Sequence, residues 1–447
     1  MIDLVFASPA LSSLRHALYH EALESAAILL AVPVQLPTNR WRLLVAEIHV
    51  AGEGDYEERS KVAVRLTPSF GLPLEKKAKL NGWSIIYCHT HPWQSGTPRY
   101  SSIDDSSEVL LAQYAKARVR NVPHLSLLFG MEHVIGRELG LTNVIRIWEI
   151  GSHLECVHDP HETVIERTKH SRQIQAFGEE GQRQVQRLRV AVVGLGGTGS
   201  VVVQQLAYLG VTDYILVDPD VIDASNLNRV VGAVPSDIGN KHKVEIAQSI
   251  ITSQRPHARI TIIRDDVLKP DATRSLREAH IVFCCTDSEA SRHLLNQFAY
   301  QYWIPVIDVG VGIHVQTHAP IQIAGRVAML SPGLPCLWCL EQLNPANLRR
   351  ELSSDAHKDA DPYFNRTVNI HQPAVISINS TVSSLAVTMF LSAVAGLPGE
   401  SRFLIYDGTL GRVRSAVGRQ DPHCNFCSRD STAGGGDAYP LPSRSVP

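Results

Sequence analysis

The chain of 447 residues is 44% hydrophobic and 19% charged, and its formal net charge at pH 7 is −2. These values exclude a disordered chain and allow two or three domains that each bury a core. Because a nearly neutral chain creates no field that gathers nucleic acid or an anionic membrane, we expect neither as a partner.

The N-terminal segment shows no targeting or membrane-spanning pattern. No basic region precedes its apolar part, and its longest apolar run, "AAILLAVPV", is far too short to cross a bilayer. We therefore expect a soluble, cytoplasmic protein. Four of the eight cysteines form two CxxC pairs, and in a cytosolic chain this spacing indicates a metal more often than a disulfide.

Residues 1–150 combine helical and β-rich segments and predict an α+β domain with local hairpins. Helices are predicted in "PALSSLRHALYHEALE" and in "SSEVLLAQYAKAR". Five short runs predict strands, namely "AAILLAVPV", "RLLVAEIHVAG", "KVAVRLT", "WSIIYCH" and "VIRIWEIG". Residues 151–185 are polar and charged, which predicts a linker and the leading helix of a second domain.

Residues 186–430 alternate short β-branched runs with helical segments, which predicts a doubly wound α/β domain with a mainly parallel sheet. A polar stretch from about 340 to 375 has few structural signals and is a candidate mobile loop. An apolar helix, "ISINSTVSSLAVTMFLSAVAGLP", follows it. Residues 431–447 are rich in Gly, Ser and Pro, which predicts a disordered tail.

A strand, a glycine-rich turn and a helix open the second domain in "RVAVVGLGGTGSVVVQQLAYLG". Such a turn directs free N–H groups and the positive end of the helix at a phosphate. Asp218 ends the next strand, where an acidic side chain can hold a ribose hydroxyl. This pattern suits an NAD-dependent dehydrogenase equally well. The glycines of the turn are Gly194, Gly196, Gly197 and Gly199.

Three polar side chains follow Asp218, where a dehydrogenase usually offers only a selector for the ribose: Asn226, Arg229 and Lys241. Two cations near a phosphate-binding turn would neutralise a triphosphate and the transition state of adenylyl transfer. A charged, solvated face is the alternative interpretation.

The order of these pieces resembles the adenylating domain of the ubiquitin-activating family, of the ThiF and MoeB type. The resemblance covers about residues 167–430 and rests on "HSRQIQAFGEEGQ", "VVGLGGTGS", "LVDPDVIDASNLNR", "IGNK", "CCTDSEASR" and the two CxxC pairs. It implies a Rossmann-like domain that uses ATP to form an acyl adenylate and releases pyrophosphate.

The resemblance also implies roles for the matching residues. Asp218 would bind the ribose of ATP, and Asp287 of "CTDS" would hold magnesium. Arg172 of "SRQ" would reach the nucleotide of the partner subunit, which implies a homodimer. The phosphates would be bound by Asn226, Arg229 and Lys241.

The two CxxC pairs suit a closed structural zinc site, because four thiolates satisfy tetrahedral zinc. A redox CxxC is the competing interpretation. The four ligands would be Cys336, Cys339, Cys424 and Cys427. Many members of the resembled family form a thioester on a cysteine after the first pair, but the span from Leu340 to His423 contains none. Cys284 and Cys285 end a predicted core strand, so the adenylate would pass to the thiol of another protein, such as a conjugating enzyme, or to an amine or sulfur donor.

A second metal site is predicted in "YCHTHPWQSGTPRYSSIDD". His89 and His91 lie one residue apart at a strand end, so both imidazoles project from one face and can share an ion. Asp104, near a helix start, would complete three ligands and leave a fourth position for water. Zinc, manganese or iron could occupy such a site. A polar surface is the alternative.

This segment resembles the JAB/MPN (JAMM) metalloproteases, which combine an upstream Glu, an HxHP pair and an SxxD. The resemblance implies that Glu24 activates the water and that Ser101 donates to the oxyanion, with Glu47 as the fallback for Glu24. The gap before Ser101 is two residues longer than in the usual motif, so Asp105 competes with Asp104 as the ligand.

Together these resemblances favour one hypothesis. The second domain would adenylate the C-terminal glycine of a ubiquitin-like or sulfur-carrier protein, and the first would act as a zinc peptidase that trims or removes that modifier. An adenylating enzyme for a small peptide or metabolite is a second hypothesis. A non-catalytic scaffold for a ubiquitin-like partner is a third, which the set of Arg229, Lys241 and Asp287 disfavours.

Overall fold

The computed structural model describes residues 1–19, 22–161, 163–315, 321–353, 373–428 and 431–443. The chain forms two compact units. The first comprises Met1–Glu162 and Gly434–Tyr439, and the second comprises Thr163–Ala433 and Pro440–Pro447. The sequence predicted a first domain that ends at residue 150 and a linker over 151–185.

The first unit is built on a mixed eight-stranded sheet. Its strands and helices, in chain order, are β1 (Ile2–Ala7), α1 (Ala10–Leu18), β2 (Ala26–Gln35), β3 (Trp41–Val50), β4 (Tyr56–Arg59), β5 (Val64–Leu66), α2 (Pro68–Asn81), β6 (Ser84–Thr90), α3 (Ser102–Arg118), β7 (Leu125–Phe129), β8 (Val134–Glu138), β9 (Arg146–Ile150) and β10 (Leu154–His158). The sheet order is β10-β9-β1-β3-β2-β6-β7-β8, and β4 and β5 form a separate hairpin.

Burial explains why the central strands are almost uniformly apolar. The first six residues of β2 are all buried, because β3 and β6 pair with it on its two sides. Helix α1 contributes Leu11, Leu14 and Leu18 to the same core, at the spacing of one helical face. The antiparallel pairing of β2 with β6 sets Ala26 opposite His89, at the end of the sheet where the polar motif begins.

The second unit has the predicted α/β architecture. Its elements are α4 (Arg167–Arg187), β11 (Arg189–Val193), α5 (Gly197–Leu209), β12 (Asp213–Val217), α6 (Lys243–Gln254), β13 (Arg259–Ile263), α7 (Pro270–Leu276), β14 (Ile281–Cys284), α8 (Glu289–Gln301), β15 (Val306–His314), β16 (Gln322–Leu330), α9 (Pro345–Leu352), α10 (Ile376–Val394), β17 (Phe403–Asp407) and β18 (Arg412–Ser415). Strands β13-β12-β11-β14-β15 are parallel, and β16, β17 and β18 extend the sheet in antiparallel fashion.

The linker and the long polar loop differ from the sequence-based predictions. The predicted linker contains strand β10, which pairs with β9 through an antiparallel register. The predicted loop from 340 to 375 contains α9, because Asn344 caps its first turn by accepting from Ala346 N and Pro345 follows at the first helical position. Residues 354–372 of that loop lie outside the described residues.

The predicted disorder of residues 431–447 is wrong for the part that the structure describes. A short 3-10 helix forms at Gly436–Ala438 and belongs to the first unit. Gly436 has φ +55°, and a Cβ there would lie 2.9 Å from a side-chain carbon of Val34. Glycine at this position therefore permits the close approach to β2 that orders the segment.

Helix α10 is long and apolar enough to cross a membrane, but half of the qualifying window is buried within the protein. It packs against α5, β15 and β16 of the same unit. The core helix of a water-soluble fold has the same length and composition, so these properties are weak support for a membrane span.

Candidate functional site

The glycine-rich turn between β11 and α5 requires glycine for steric reasons. Gly194 has φ +85°, and a Cβ there would come within 2.8 Å of the backbone at Cys285 and Thr286. A Cβ on Gly199 would lie 1.9 Å from the carbonyl oxygen of Gly194. These contacts tighten the turn so that the N-terminus of α5 opens at the C-terminal edge of the parallel strands, where ligands bind in such sheets.

Asp218 lies directly against this turn. Its Oδ2 accepts a hydrogen bond from Leu195 N at 2.6 Å, and its Oδ1 accepts from Asp220 N at 2.9 Å. Burial raises the pKa of Asp218 above its usual value, while Lys243 and the two backbone donors oppose that shift. Beside it, a Cβ on Gly196 would meet no atom of the described residues within 4 Å apart from its chain neighbours, so this part of the structure leaves space for a ligand at that residue.

The three phosphate-site residues lie on the segment after β12. Arg229 approaches the turn, since its Cβ is 3.4 Å from the position of a Cβ on Gly197. Its guanidinium donates to Ser225 O and to Asn228 Oδ1. Asn226 is buried and donates to Asp223 Oδ2, so it shapes this segment.

Lys241 pairs with Asp237, with 2.8 Å between Lys241 Nζ and Asp237 Oδ1. Its side chain is 49% exposed, which leaves room for it to reach a ligand. Its backbone carbonyl accepts from Ile222 N, which ties the lysine to the segment that follows Asp218.

Asp287 and Arg172 are both exposed. Asp287 follows β14 on the segment whose residues Cys285 and Thr286 contact Gly194, so it lies beside the turn. Arg172 lies elsewhere, on α4. Its neighbour Gln173 donates to Tyr208 O near the far end of α5, about 17 Å along that helix from Gly197.

Residues in the first half of α10 contact the turn, and the sequence did not predict this contact. Ser383 Oγ donates to Thr198 O at 3.0 Å, and the side chain of Asn379 lies over Gly197. Thr198 Oγ1 in turn donates to Cys285 O. No fixed spacing relates α10 to the glycine motif some 180 residues earlier, so a single sequence offers no signal for this contact.

The two CxxC pairs converge as predicted. The Sγ atoms of Cys336 and Cys424 lie 3.6 Å apart, as do those of Cys339 and Cys427. Four thiolates at about 2.3 Å from a tetrahedral zinc ion would be separated by about 3.8 Å, so the cluster has the dimensions of a zinc site. Asp421 N also donates to Cys339 Sγ, a contact that stabilises a thiolate.

Cys284 and Cys285 are buried core residues, as expected. Burial raises the pKa of the Cys285 thiol to about 12, and it raises that of Cys284 as well. A thiol that stays protonated is a poor nucleophile, so neither residue is suited to forming a thioester.

In the first unit, the HxH pair and the SxxD segment come together. His89 Nε2 lies 3.2 Å from Asp104 Oδ1, and His91 Nε2 lies 3.5 Å from Asp104 Oδ2. One ligand atom from each of these three residues lies within 4.8 Å of the others. His89 Nε2 is buried and faces the carboxylate of Asp104, which suits a nitrogen that shares an ion with that carboxylate.

Asp104, rather than Asp105, faces the two histidines. Asp105 is held by Arg137, with 2.8 Å between Asp105 Oδ1 and Arg137 Nη1. Asp104 and Ser101 form a capping box at the start of α3, in which Ser101 N donates to Asp104 Oδ2 and Asp104 N donates to Ser101 Oγ. The SxxD spacing therefore both begins the helix and orients the carboxylate.

Glu24, which lies two residues before the start of β2, completes the cluster. Its Oε1 lies 3.5 Å from His91 Nε2, and its side chain is 4% exposed. Its backbone is held by Ser60 O and by the guanidinium of Arg59. The fallback Glu47 contacts Lys77 and His49 instead, so it is not part of this site.

The charges in the cluster favour a base at Glu24. Burial raises the pKa of Glu24 to about 7, although the charge of His89 opposes the shift. Burial also lowers the pKa of His91, which keeps that imidazole neutral as a metal ligand requires. Burial opposes ionisation of Asp104, but the hydrogen bond and charge of His89 outweigh it and hold its pKa below the usual value.

The loop between His91 and Ser101 is held by hydrogen bonds within itself. Gln94 Oε1 accepts from Arg99 N at 2.7 Å, and Gln94 Nε2 donates to Arg99 O at 3.3 Å. Trp93 stacks on His91 with 5.2 Å between the ring centroids and remains 46% exposed. The loop therefore places an aromatic side chain beside the cluster.

Comparison with known proteins identifies the second unit. The chain is 26% identical to the molybdopterin-synthase adenylyltransferase of Escherichia coli (strain K12) over 59% of its own length and 97% of that enzyme. It is 26% identical to the sulfur carrier protein ThiS adenylyltransferase of the same organism, over 61% of its own length and 97% of that enzyme. A crystal structure of E. coli MccB aligns with a TM-score of 0.48 at 18% identity, covering 60% of this chain and 75% of the other.

The sequence profile of the ThiF family matches residues 170–426, which include the glycine-rich turn, Asp218, Arg229, Asp287 and most of the cysteine cluster. The match begins after the last strand of the first unit, so it does not extend to the histidine site. More than half of the chain is covered, and the chain belongs to the ThiF family.

Proposed function

We propose that the second unit adenylates the C-terminal glycine of a ubiquitin-like or sulfur-carrier protein at the expense of ATP. The proposal rests on one observation. Asp218 and Arg229 both lie against the open glycine turn, and all of these residues belong to the segment that matches the ThiF family. The named relatives, which adenylate molybdopterin synthase or the carrier ThiS, support this substrate class.

Each residue has a chemical task in this reaction. The carrier carboxylate attacks the α-phosphorus of ATP, the bond from that phosphorus to the bridging oxygen breaks, and pyrophosphate leaves. Arg229 and Lys241 would offset the charge that gathers on the phosphates, and the N–H groups of the turn would hold them. Asp218 would accept from the ribose hydroxyls, and Asp287 would hold the magnesium ion that accompanies ATP.

ATP–pyrophosphate exchange tests the proposal, with small carrier proteins that end in glycine as the second substrate. We expect exchange that depends on the carrier and falls about 100-fold or more in Arg229→Ala. Arg274→Ala removes an exposed arginine from α7 and should exchange like wild type. If peptides or metabolites stimulate exchange while no carrier does, the protein-carrier assignment is wrong.

We also propose that the second unit works as a homodimer. Arg172 is exposed on α4, beside the end of α5 that is remote from the turn. An arginine side chain spans about 7 Å, less than the roughly 17 Å along α5. Contribution to the nucleotide site of a second copy is therefore geometrically simpler than contribution to its own. Mixing Arg172→Ala with Arg229→Ala chains should restore exchange if the sites are shared between copies.

For the first unit we propose a metal-dependent peptidase that releases or trims the same carrier. A zinc ion held by His89, His91 and Asp104 would supply an activated water. Glu24 would accept the proton of that water and return it to the leaving amine, since its raised pKa suits both steps. Ser101 would donate its hydroxyl hydrogen to the carbonyl oxygen, because its oxygen already accepts from Asp104 N.

Cleavage of a carrier–peptide fusion tests the peptidase proposal. Wild type should release the peptide after the carrier glycine, and Glu24→Gln should lose at least 100-fold of that rate while it retains the metal. Glu47→Gln is the matched control, because that carboxylate pairs with Lys77 and His49. Equal loss in the two variants would contradict the role given to Glu24.

The remaining proposals concern the surroundings of the reaction. With Cys284 and Cys285 buried and no cysteine between Leu340 and His423, the adenylate would pass to a thiol of another protein or to an amine or sulfur donor. The cysteine cluster would hold a structural zinc ion. We place the protein in the cytoplasm, where its eight cysteines would stay reduced.

A further inference from the structure

Asn379 lies in the first turn of α10 with its carboxamide against the phosphate-binding turn. Its Nδ2 atom is 2.2 Å from the position that a Cβ on Gly197 would occupy, and its Cγ is 3.2 Å from that position. The side chain can approach so closely only because Gly197 has no Cβ. Gly197 is the first residue of α5, so the amide sits at the end of the helix where backbone N–H groups are free.

The Asn379 carboxamide has no hydrogen bond within the described parts of the chain, although the residue is only 5% exposed. Its neighbours on α10 are bonded, since Ser383 donates to Thr198 O and Ser384 accepts from Gln205 Nε2. Buried amides are almost always hydrogen-bonded, because an unpaired amide loses the hydrogen bonds that water would give it. An amide that is nearly buried, has no bonded partner among the described residues and lies against an anion-binding helix end is well placed to bind a ligand there.

Arg229 borders the same glycine from another direction, with its Cβ 3.4 Å from the Cβ position on Gly197. The turn is thus flanked by one cationic side chain and one neutral donor. Gly196, which precedes it, leaves space for a ligand. This combination suits a bound phosphate group, since the amide adds a directed N–H donor without adding charge.

We propose that Asn379 is a nucleotide-contacting residue whose Nδ2 donates a hydrogen bond to a phosphate oxygen of ATP bound at the N-terminus of α5. The inference rests on the proposed function of the second unit and adds a contact from a helix that lies outside the glycine motif. Asn379 thereby selects for a phosphorylated nucleotide over the nucleoside.

Isothermal titration calorimetry of the full-length protein with MgATP and with adenosine tests this contact. We expect Asn379→Ala to raise the Kd for MgATP about tenfold, the loss of one hydrogen bond to a charged group. Asn379→Asp, nearly isosteric, should raise it further because the carboxylate repels phosphate. The Kd for adenosine should stay within about twofold of wild type in both variants.

Ser384→Ala is the control, since it removes a side chain from the same helix that bonds to Gln205 rather than to the turn. It should bind MgATP like wild type. Thermal unfolding of all variants identifies any that fail to fold. Wild-type affinity of Asn379→Asp for MgATP, or equal losses for MgATP and adenosine in a folded variant, would overturn the inference. Absence of MgATP binding by wild type would instead refute the proposed adenylation.

Discussion

Asp104 and Asp105 are adjacent in the chain, yet their carboxylates face different partners. Arg137 forms ion pairs with Asp105 and Glu108, and its guanidinium lies 3.7 Å from the ring centroid of Tyr100. Asp105 is thus drawn away from the histidines, while the capping box turns Asp104 toward them. The sequence left open which of these two aspartates is the metal ligand. Arg137 on β8, about thirty residues later in the chain, decides between them by pairing with Asp105.

The metal content of two variants tests this division. Asp104→Asn should lose one bound transition metal ion per chain, because the amide cannot supply the anionic ligand. Asp105→Asn should retain that ion, with a small loss of stability from the weakened pair with Arg137. Elemental analysis of the purified chains measures both. Loss of the ion from Asp105→Asn alone would assign the ligand to the other residue.

Two glycines of the turn should differ in their effect on stability when each is changed to alanine. Gly199→Ala places a Cβ 1.9 Å from a backbone oxygen, so we expect a loss of about 2 kcal/mol or more in the free energy of unfolding. The new methyl group of Gly196→Ala meets no atom within 4 Å in the described ranges beyond its chain neighbours, so this variant should unfold close to wild type, but the methyl group enters the space left for phosphate. Denaturant unfolding and MgATP titration separate the effects. Equal stability of the two variants would contradict the steric argument.

At the scale of elements, the cysteine cluster links two segments that have little regular structure. "CLWC" lies between β16 and α9, and "CNFC" follows β18. Trp338 and Phe426, one from each pair, stack with 6.4 Å between their centroids, and both contact the ring of His293 on α8. A metal at the four thiols and this aromatic group together would hold both segments to α8.

Zinc removal by mutation should therefore loosen this corner of the second unit. Cys339→Ser should lose one zinc ion per chain and unfold at lower temperature, since binding of a structural zinc contributes to folding. Cys156→Ser changes a buried cysteine of the first unit and should keep the zinc. Zinc analysis and thermal unfolding provide the two measurements. A Cys339→Ser chain with its full zinc content would show that the cluster is not the binding site.

At the scale of the whole molecule, each site draws its described residues from one compact unit. Glu24, His89, His91 and Asp104 belong to Met1–Glu162, and the nucleotide residues belong to Thr163–Ala433. Hydrolysis and adenylation would then be separate activities that share a substrate. Their proposed chemistry is opposite in direction, since one activates the terminal glycine of the carrier and the other releases it.

The two activities should accordingly be lost independently. Glu24→Gln should leave ATP–pyrophosphate exchange within about twofold of wild type, and Arg229→Ala should leave fusion cleavage equally unaffected. The double variant should lack both. Rates of exchange and cleavage measured on the same preparations check this. A large loss of one activity on mutation of the other site would show that the sites are coupled.

Much of the architecture was predictable because it follows from local patterns. The β-branched runs and intervening helices of residues 186–430 led to the parallel sheet that the structure contains. In the first unit, strands β1, β4, β7 and β8 and helix α2 were missed, and so was β10 in the predicted linker. Strand β1 pairs in parallel with β3 and β9, and β10 completes the sheet edge beside β9. These pairings depend on distant or edge contacts that a short window of sequence does not contain.

The sequence by itself determined which chemical groups are available, because side-chain identity and spacing along one strand or turn are local. The HxH pair, the glycine turn and the CxxC pairs are of this kind. Only the tertiary structure decided that Asp104 rather than Asp105 faces the histidines, that Glu24 rather than Glu47 joins them, and that Asn379 covers the glycine turn. Each of these outcomes depends on contacts between residues far apart in the chain, and such contacts exist only once the core has packed.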